Sequence, residues 1–525
     1  MNTFKRKALF SAVAAGLGVV AGGAEAVYLN AHQGTGQALV YPYYTVQSVS
    51  GQAWNTLISV VNTTSRGKAV KVRILEGKTS AEVLDFNLFL SPNDVWTAGI
   101  IPAPSGSGAG AIVSADNSCV SPLSLATAQE FRNFQYASGA NGASLPGVGL
   151  DRTREGYIEM LEMATIPIGS NLASVINHNS AGVPPNCAGV QAITFAPAVA
   201  DLTVPTGGMM GTGTLINVVN GQDIAYKADA LDSWSNITQY TGPGFTTPNL
   251  GSANPSVSLV INNGQLDAAG AGSSTLQTAY LSVFATTAGI SGGAKAVASV
   301  FMHQSVMNEF VLDAGARSNT DWVLTQPLKN LFVNNTTALP PYTNVLTANG
   351  ACETINFTYF NREERTAAAS PGDFSPTPPG AAPSSVCWEA NVLSIRNNPP
   401  STGQPTGATS GVLGSVNVTG VSLGTNAIFP NGWAVLDFTG TNATTSTGGL
   451  GAVAGSQRVA INEATTVITT TAVVPTFFGL PVTGFMARNF VNAAVPCTLA
   501  TGAAGTCSAT HAGGFGHSYR NMILP

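Results

Sequence analysis

Between residues 54 and 100 apolar and polar side chains alternate along runs of strand length. In "AVKVRIL", Val70, Val72 and Ile74 share one parity and Lys71, Arg73 and Leu75 the other. In "EVLDFNLFL", Leu84, Phe86, Leu88 and Leu90 alternate with Asp85, Asn87 and Phe89. A period of two sends such sets to opposite faces of a strand, so the pattern predicts one face in a core and the cations in water. "WNTLISVVNTT" before them is β-branched, and "SPND" supplies a turn ahead of "VWTAGI". Four strands joined by short turns, apolar on one side and polar on the other, predict part of an antiparallel β-sandwich.

The pattern changes further along. "SPLSLATAQEFRNFQ" (121–135) predicts a helix, with Ser121 as cap and Pro122 in the first helical position. "REGYIEMLEMATIPI" (154–168) predicts a strand, on its β-branched end and Tyr157. "GTLINVVNGQDIAYKA" (213–228) predicts a hairpin closed at Asn220-Gly221 by a type I′ turn, and "DALDSW" (229–234) a single helical turn. "SVSLVINNG", "TAYLSVFATT", "AVASVFMHQSVMNEFVLDAG" and "DWVLTQPLKNLFVNN" read as further strands. The Pro-rich stretch 366–386 lies between Cys352 and Cys387 and reads as a loop closed by a disulfide; 397–411 is a second loop. Residues 464–487 carry no charge, but Pro475, Gly479 and Pro481 interrupt them, which predicts buried strands and no membrane helix. The predicted class is all-β: antiparallel β-sandwich domains, immunoglobulin-like or jelly-roll-like, with long Gly/Pro/Thr-rich loops and a few short helices. The predicted divisions are a sandwich part at 27–115, a central region continuing it at 116–345, and a C-terminal region at 346–525.

Composition adds an address. Lys5, Arg6 and Lys7, an apolar run and Ala24-Glu25-Ala26 form a signal peptide over residues 1–26, with a mature start near Val27. The expected location is secreted, extracellular or on the outer cell surface, with the periplasm as alternative. Cleavage removes three cations and Glu25, taking the net charge from −5 to −7. That balance argues against nucleic acid as a partner. In an exported chain the six cysteines predict disulfides, paired by sequence proximity as 119–187, 352–387 and 497–507.

No nucleophile elbow, phosphate loop, zinc helix or EF-hand is present, so no catalytic residue or cofactor site is predicted and the expectation is a non-enzyme. The run 302–322 holds His303, Glu309, Asp313, Arg317 and Asp321; Asp313 and Asp321 with loop carbonyls are the candidate ligands of a Ca²⁺ ion. On a strand Glu159 and Glu162, three positions apart, point to opposite faces. "NREER" (361–365) reads as local ion pairs on an exposed turn. Tyr43 and Trp54 are the candidate sugar-stacking platform, against core packing as the alternative. "GKAVKVRILEGK" (67–78) has five charges in a chain only 9% charged; it reads as the wet face of a strand, with an anion site as the lesser alternative.

Residues 55–100, "SNTDWVLTQPLKNLFV" (318–333) and "GLPVTGFMARNF" (479–490) resemble segments of a group of uncharacterised exported cell-surface proteins of Gram-negative bacteria. The resemblance implies an extracytoplasmic place and brings no site residues with it. Together these readings lead to a non-enzymatic cell-surface or matrix structural protein, associating with itself into a layer or filament because few charges guard its sheet edges. The alternatives are a secreted module binding envelope or extracellular polysaccharide or a host surface, and an exported hydrolase whose site forms only in three dimensions.

Overall fold

The fold was obtained as a computed structural model, which describes residues 25–31, 33–191, 197–262, 276–314, 317–362, 385–398, 409–425, 430–438, 449–462, 467–498, 504–513, 517–519 and 522–523. The chain is all-β, built of antiparallel sheets with a few short helices. Within the first 232 residues a short ribbon of Ser48–Val49 and Gln52–Ala53 stands apart, and thirteen further strands build the sheets described next. They are β1 (Tyr28–Leu29), β2 (Ala38–Thr45), β3 (Asn55–Asn62), β4 (Gly67–Glu76), β5 (Glu82–Leu90), β6 (Val95–Pro102), β7 (Gly110–Val113), β8 (Cys119–Ser121), β9 (Gln129–Glu130), β10 (Glu155–Ile166), β11 (Met209–Asn217), β12 (Gln222–Lys227) and β13 (Asp229–Asp232).

These strands form two sheets. One has the order β1-β13-β2-β10-β4-β5-β8, the other β9-β7-β6-β3-β11-β12. They share one core, in which Tyr41, Val70, Val72, Ile74, Phe86 and Met160 of the first sheet meet Ile58, Val60, Trp96, Ile100 and Leu215 of the second. The alternating valines of β4 face this core, as their parity predicts. The sandwich closes only when β10 inserts between β2 and β4 and β11 joins β3, so residues 27–115 make half of it and the chain completes it by residue 232.

The remaining chain wraps the other side of the seven-stranded sheet. Strands β14 (Val257–Asn262) and β15 (Leu276–Val283) lead to helix α1 (Gly292–Phe301). Next come β16 (Ser305–Val311), β17 (Asn319–Thr325) and the short helix α2 (Lys329–Phe332). In a five-stranded sheet, β17 lies between β18 (Ala390–Asn398) and β19 (Thr483–Thr498), so pairing crosses residue 345 freely. One large core joins α1 to the outer face of the sandwich, through Tyr157, Leu161, Leu231, Trp234 and Leu250 on one side and Val297, Phe301, Trp322 and Leu324 on the other. No helix among the described residues is long and apolar enough to cross a membrane.

Several local expectations change. The segment 121–135 is not a helix: β8 and β9 occupy its ends, and only Phe134–Ala137 is helical. Its backbone finds sheet partners instead, β8 on β5 and β9 on β7, while Leu125 and Phe131 enter the sandwich core. Residues 296–301, read as strand, belong to α1. Ser291 caps it by accepting from Ala294 N at 3.0 Å, and Gly293 lets it approach the chain so closely that a Cβ there would lie 1.8 Å from the Ala253 carbonyl. Apolar residues all round such a helix mean burial on every side, which strand periodicity imitates over short runs. Residues 229–232 are strand β13, paired on both sides. The β11–β12 hairpin exists, but Asn217 pairs with Gln222, so the loop has four residues and only Gly221 takes a positive φ.

Candidate functional site

The charged stretch at 67–78 is buried, which overturns its reading as a wet face. Lys68, Lys71, Arg73 and Glu76 all lie inside the protein. Parity placed Lys71 and Arg73 correctly on the face away from the sandwich core; that face is covered by the connection after β13 and by the second half of the chain. Asn87 donates to the Thr241 carbonyl (2.8 Å), Gly244 N to Asp85 (3.0 Å) and Leu250 N to Glu159 (3.2 Å), which pins the cover down. Under it Lys71 pairs with Asp85, and Arg73 bridges Glu82 at 2.8 Å and Glu159 at 2.5 Å. Burial opposes Arg73's charge, but Glu159 and Glu82 outweigh it and hold the guanidinium pKa above its usual value. Burial likewise raises Glu82 and Glu159, with Arg73 pulling back.

Two more pairs cap the ends of the sandwich interior. At the start of β4, Lys68 meets Glu162 at 2.8 Å, and Glu162 also accepts from the backbone of Thr206 and Gly207. At its end Glu76 meets Arg152 at 2.7 Å, whose guanidinium stacks 4.0 Å from the Tyr136 ring. Glu159 and Glu162 thus serve opposite faces, as expected. No free cation is offered by this strand, so the lesser reading of an anion site also falls: four of its charges are answered by charges of the chain itself.

An open cleft of about 390 Å³ lies where the turn after β4 meets the second half of the chain. Lys78–Ala81 form one wall, segments 135–143 and 246–249 the rim, and Lys329, Asn330, Cys387 and Glu389 the far side. Lys329 is 2% exposed and donates to the carbonyls of Ala351 (2.7 Å) and Cys387 (3.3 Å). Burial lowers its pKa, and Glu389 pulls the other way. Glu389 is 4% exposed, and burial raises its pKa against the pull of Lys329. Ser80 and the Asn330 N–H bond this carboxyl, but its Oε2 is buried with no hydrogen-bond partner among the described residues. Glu389 is the one carboxyl lining the cleft, so a converging pair of the kind glycoside hydrolysis uses is not assembled there.

The outer face of the six-stranded sheet is the other feature open to solvent. Leu57, Ser59 and Val61 of β3, Val95, Thr97 and Gly99 of β6, and Thr212 and Thr214 of β11 point outward. No charged side chain lies on the outer face of these three strands. Ser59 and Thr212 hydroxyls bond across it at 2.8 Å. Exposed Asp223 and Lys227 stand on β12, which forms one edge.

The predicted sugar platform does not form. Trp54 is fully buried in the sandwich core, and Tyr43 is buried with its hydroxyl on Glu155 at 2.6 Å. Alternation within "YPYYTVQ" gave no warning, because β2 lies near the middle of a sheet covered on both faces. Asp321 is buried in β17, where its carboxylate accepts from Gly411 N, Val412 N and Leu413 N at 2.8–3.3 Å. It organises that loop, and no group of three or more His, Cys, Asp or Glu placed to hold a metal occurs among the described residues, Asp313 included. His303 Nδ1 lies 2.7 Å from the Phe301 carbonyl, and Glu309 pairs with Arg488 at 3.1 Å. Disulfides 119–187 and 352–387 are formed as predicted. The side chains of Cys497 and Cys507, residues 1–24, most of 361–365 and 366–386, and most of the loop 397–411 fall outside the described residues.

Nothing in the sequence around Lys329 and Glu389 marks a site. Glu162 does carry a sequence signal. "EGYIEMLEM" places carboxylates on both faces of a strand, the complement of the cations in "GKAVKVRILE". Comparison with protein-family models, curated proteins and solved structures finds no match.

Proposed function

We propose that this chain is a non-enzymatic structural protein of the surface or extracellular matrix of a Gram-negative bacterium, and that its copies associate through the outer face of the six-stranded sheet. One observation carries the reading. The outer face of three central strands presents Leu57, Val95 and a row of hydroxyls to solvent with no charge, while the cations of β4 are turned inward. A face without charges is easier to desolvate than a charged one when its hydroxyls find partners, as Ser59 and Thr212 already do, and it can pack against a copy of itself. The mode differs from strand-to-strand pairing, because β12 carries Asp223 and Lys227 and β9 carries Glu130 at the two edges. The signal sequence, the two disulfides and the resemblance to exported surface proteins support the compartment.

Light scattering coupled to gel filtration, and electron microscopy of the purified mature protein, test this. Assemblies are expected to form with concentration and to be lost on Leu57→Lys or Thr97→Lys. A monodisperse monomer at every concentration, or assembly indifferent to both substitutions, would overturn the reading.

A further inference from the structure

The cleft beside Glu389 has chemistry that neither folding nor face-to-face association uses. A carboxyl 4% exposed, with Oε2 unpartnered among the described residues, lines a solvent-open space. A buried carboxyl oxygen without a partner is unfavourable, and a ligand with a hydrogen-bonding atom satisfies it once the Glu389 side chain turns toward the cleft. Burial keeps this carboxyl protonated above the usual range, so it can donate as well as accept. At the rim Asn141 and Asn330 are exposed, and each amide offers one donor side and one acceptor side. Val333 and Leu346 add an apolar wall.

We infer that this cleft binds a neutral, hydroxyl-rich ligand of about one or two sugar rings, with Glu389 at its floor and Asn141 and Asn330 at its rim. A sugar hydroxyl donates and accepts at once, matching the amides and the carboxyl, while its C–H faces suit the apolar wall. The cavity sits in the lower part of the range of about 300–1,000 Å³ common for small ligands. The neighbouring cations argue against an anion. Arg73 is held by Glu82 and Glu159, Lys329 is turned to two backbone carbonyls, and Lys78 lies 5.1 Å from the Trp388 ring. The inference does not rest on self-association, and the site is separate from the buried Tyr43 and Trp54.

The test is saturation-transfer NMR and calorimetry on the full mature protein. The probes are glucose, galactose, N-acetylglucosamine, their disaccharides, and glucuronic and galacturonic acids. At least one neutral sugar is expected to bind, and Asn141→Ala and Asn330→Ala are each expected to weaken it about ten-fold, the effect of losing one good hydrogen bond. Asn330 is exposed, so Asn330→Ala should melt at the parent value; Asn141 has φ 52°, where Ala is strained, so Asn141→Gly, which removes the same amide, is the control that should also stay folded. Leu57→Lys, on the sheet face, should leave sugar binding unchanged. Binding of no neutral sugar, binding of uronic acids only, or full retention of binding in the Asn141→Ala/Asn330→Ala double variant would overturn the inference.

Discussion

The two sheets of the sandwich have similar strands and opposite fates. The six-stranded sheet has one wet face and keeps it free of charge on β3, β6 and β11. The seven-stranded sheet has no broad wet face, and carries Lys71, Arg73, Asp85 and Glu159 beneath a cover. Alternation is present in both, since β4 and β3 each switch parity residue by residue. What differs is the layer laid over the second face. A period of two therefore identifies residues that share a face, and whether that face is wet depends on what the rest of the chain does.

The hardest test of this contrast removes a charge from the covered face. Arg73→Ala leaves Glu82 and Glu159 buried without their cation, and is expected to lower unfolding free energy by about 3–5 kcal/mol in urea titrations. A loss below about 1 kcal/mol would mean that water reaches this face after all.

A second test uses pH. Folded Glu389 holds its proton above its ordinary pKa, so the folded state binds more protons than the unfolded chain as pH rises past the usual carboxyl range. Its contribution is complete at low pH and is lost as pH rises through the folded pKa. Lys329 is depressed, and acts in the opposite direction once its carboxyl neighbour is removed. The stability of the parent relative to Glu389→Gln is therefore expected to fall between about pH 5 and pH 8, read from urea midpoints at each pH. A constant difference would show that Glu389 titrates normally in an accessible site.

The smallest effect belongs to the wet sheet. Leu57 is 46% exposed, and Leu57→Lys should change monomer stability by no more than about 0.5 kcal/mol while altering association. Substantial unfolding by this variant would mean that the face is covered within the monomer, and the contrast between the sheets would disappear.

Strand patterns in 55–100 and 154–168 were legible because periodicity, β-branched composition and nearby turns agree there. The pairings of Cys119 with Cys187 and Cys352 with Cys387 were legible from proximity along the chain. Helix α1 was not, since a short apolar Ala/Val run fits a buried strand and a buried helix equally well until a capping serine and two glycines meet a neighbouring backbone. The cleft was not legible either. Ser80, Asn141, Lys329 and Glu389 come from four distant segments, and none has an unusual neighbour in sequence.

The sequence by itself determined the all-β class, the faces within each strand, two crosslinks and an uncommon concentration of charge on β4. Those properties depend on local geometry, on composition, or on residues close in the chain. Only the tertiary structure decided that the charges are internal, that Tyr43 and Trp54 are core residues, and that Glu389 borders an open space. Burial is a property of what covers a residue, and here the cover is tied down by contacts that span 91 to 260 residues.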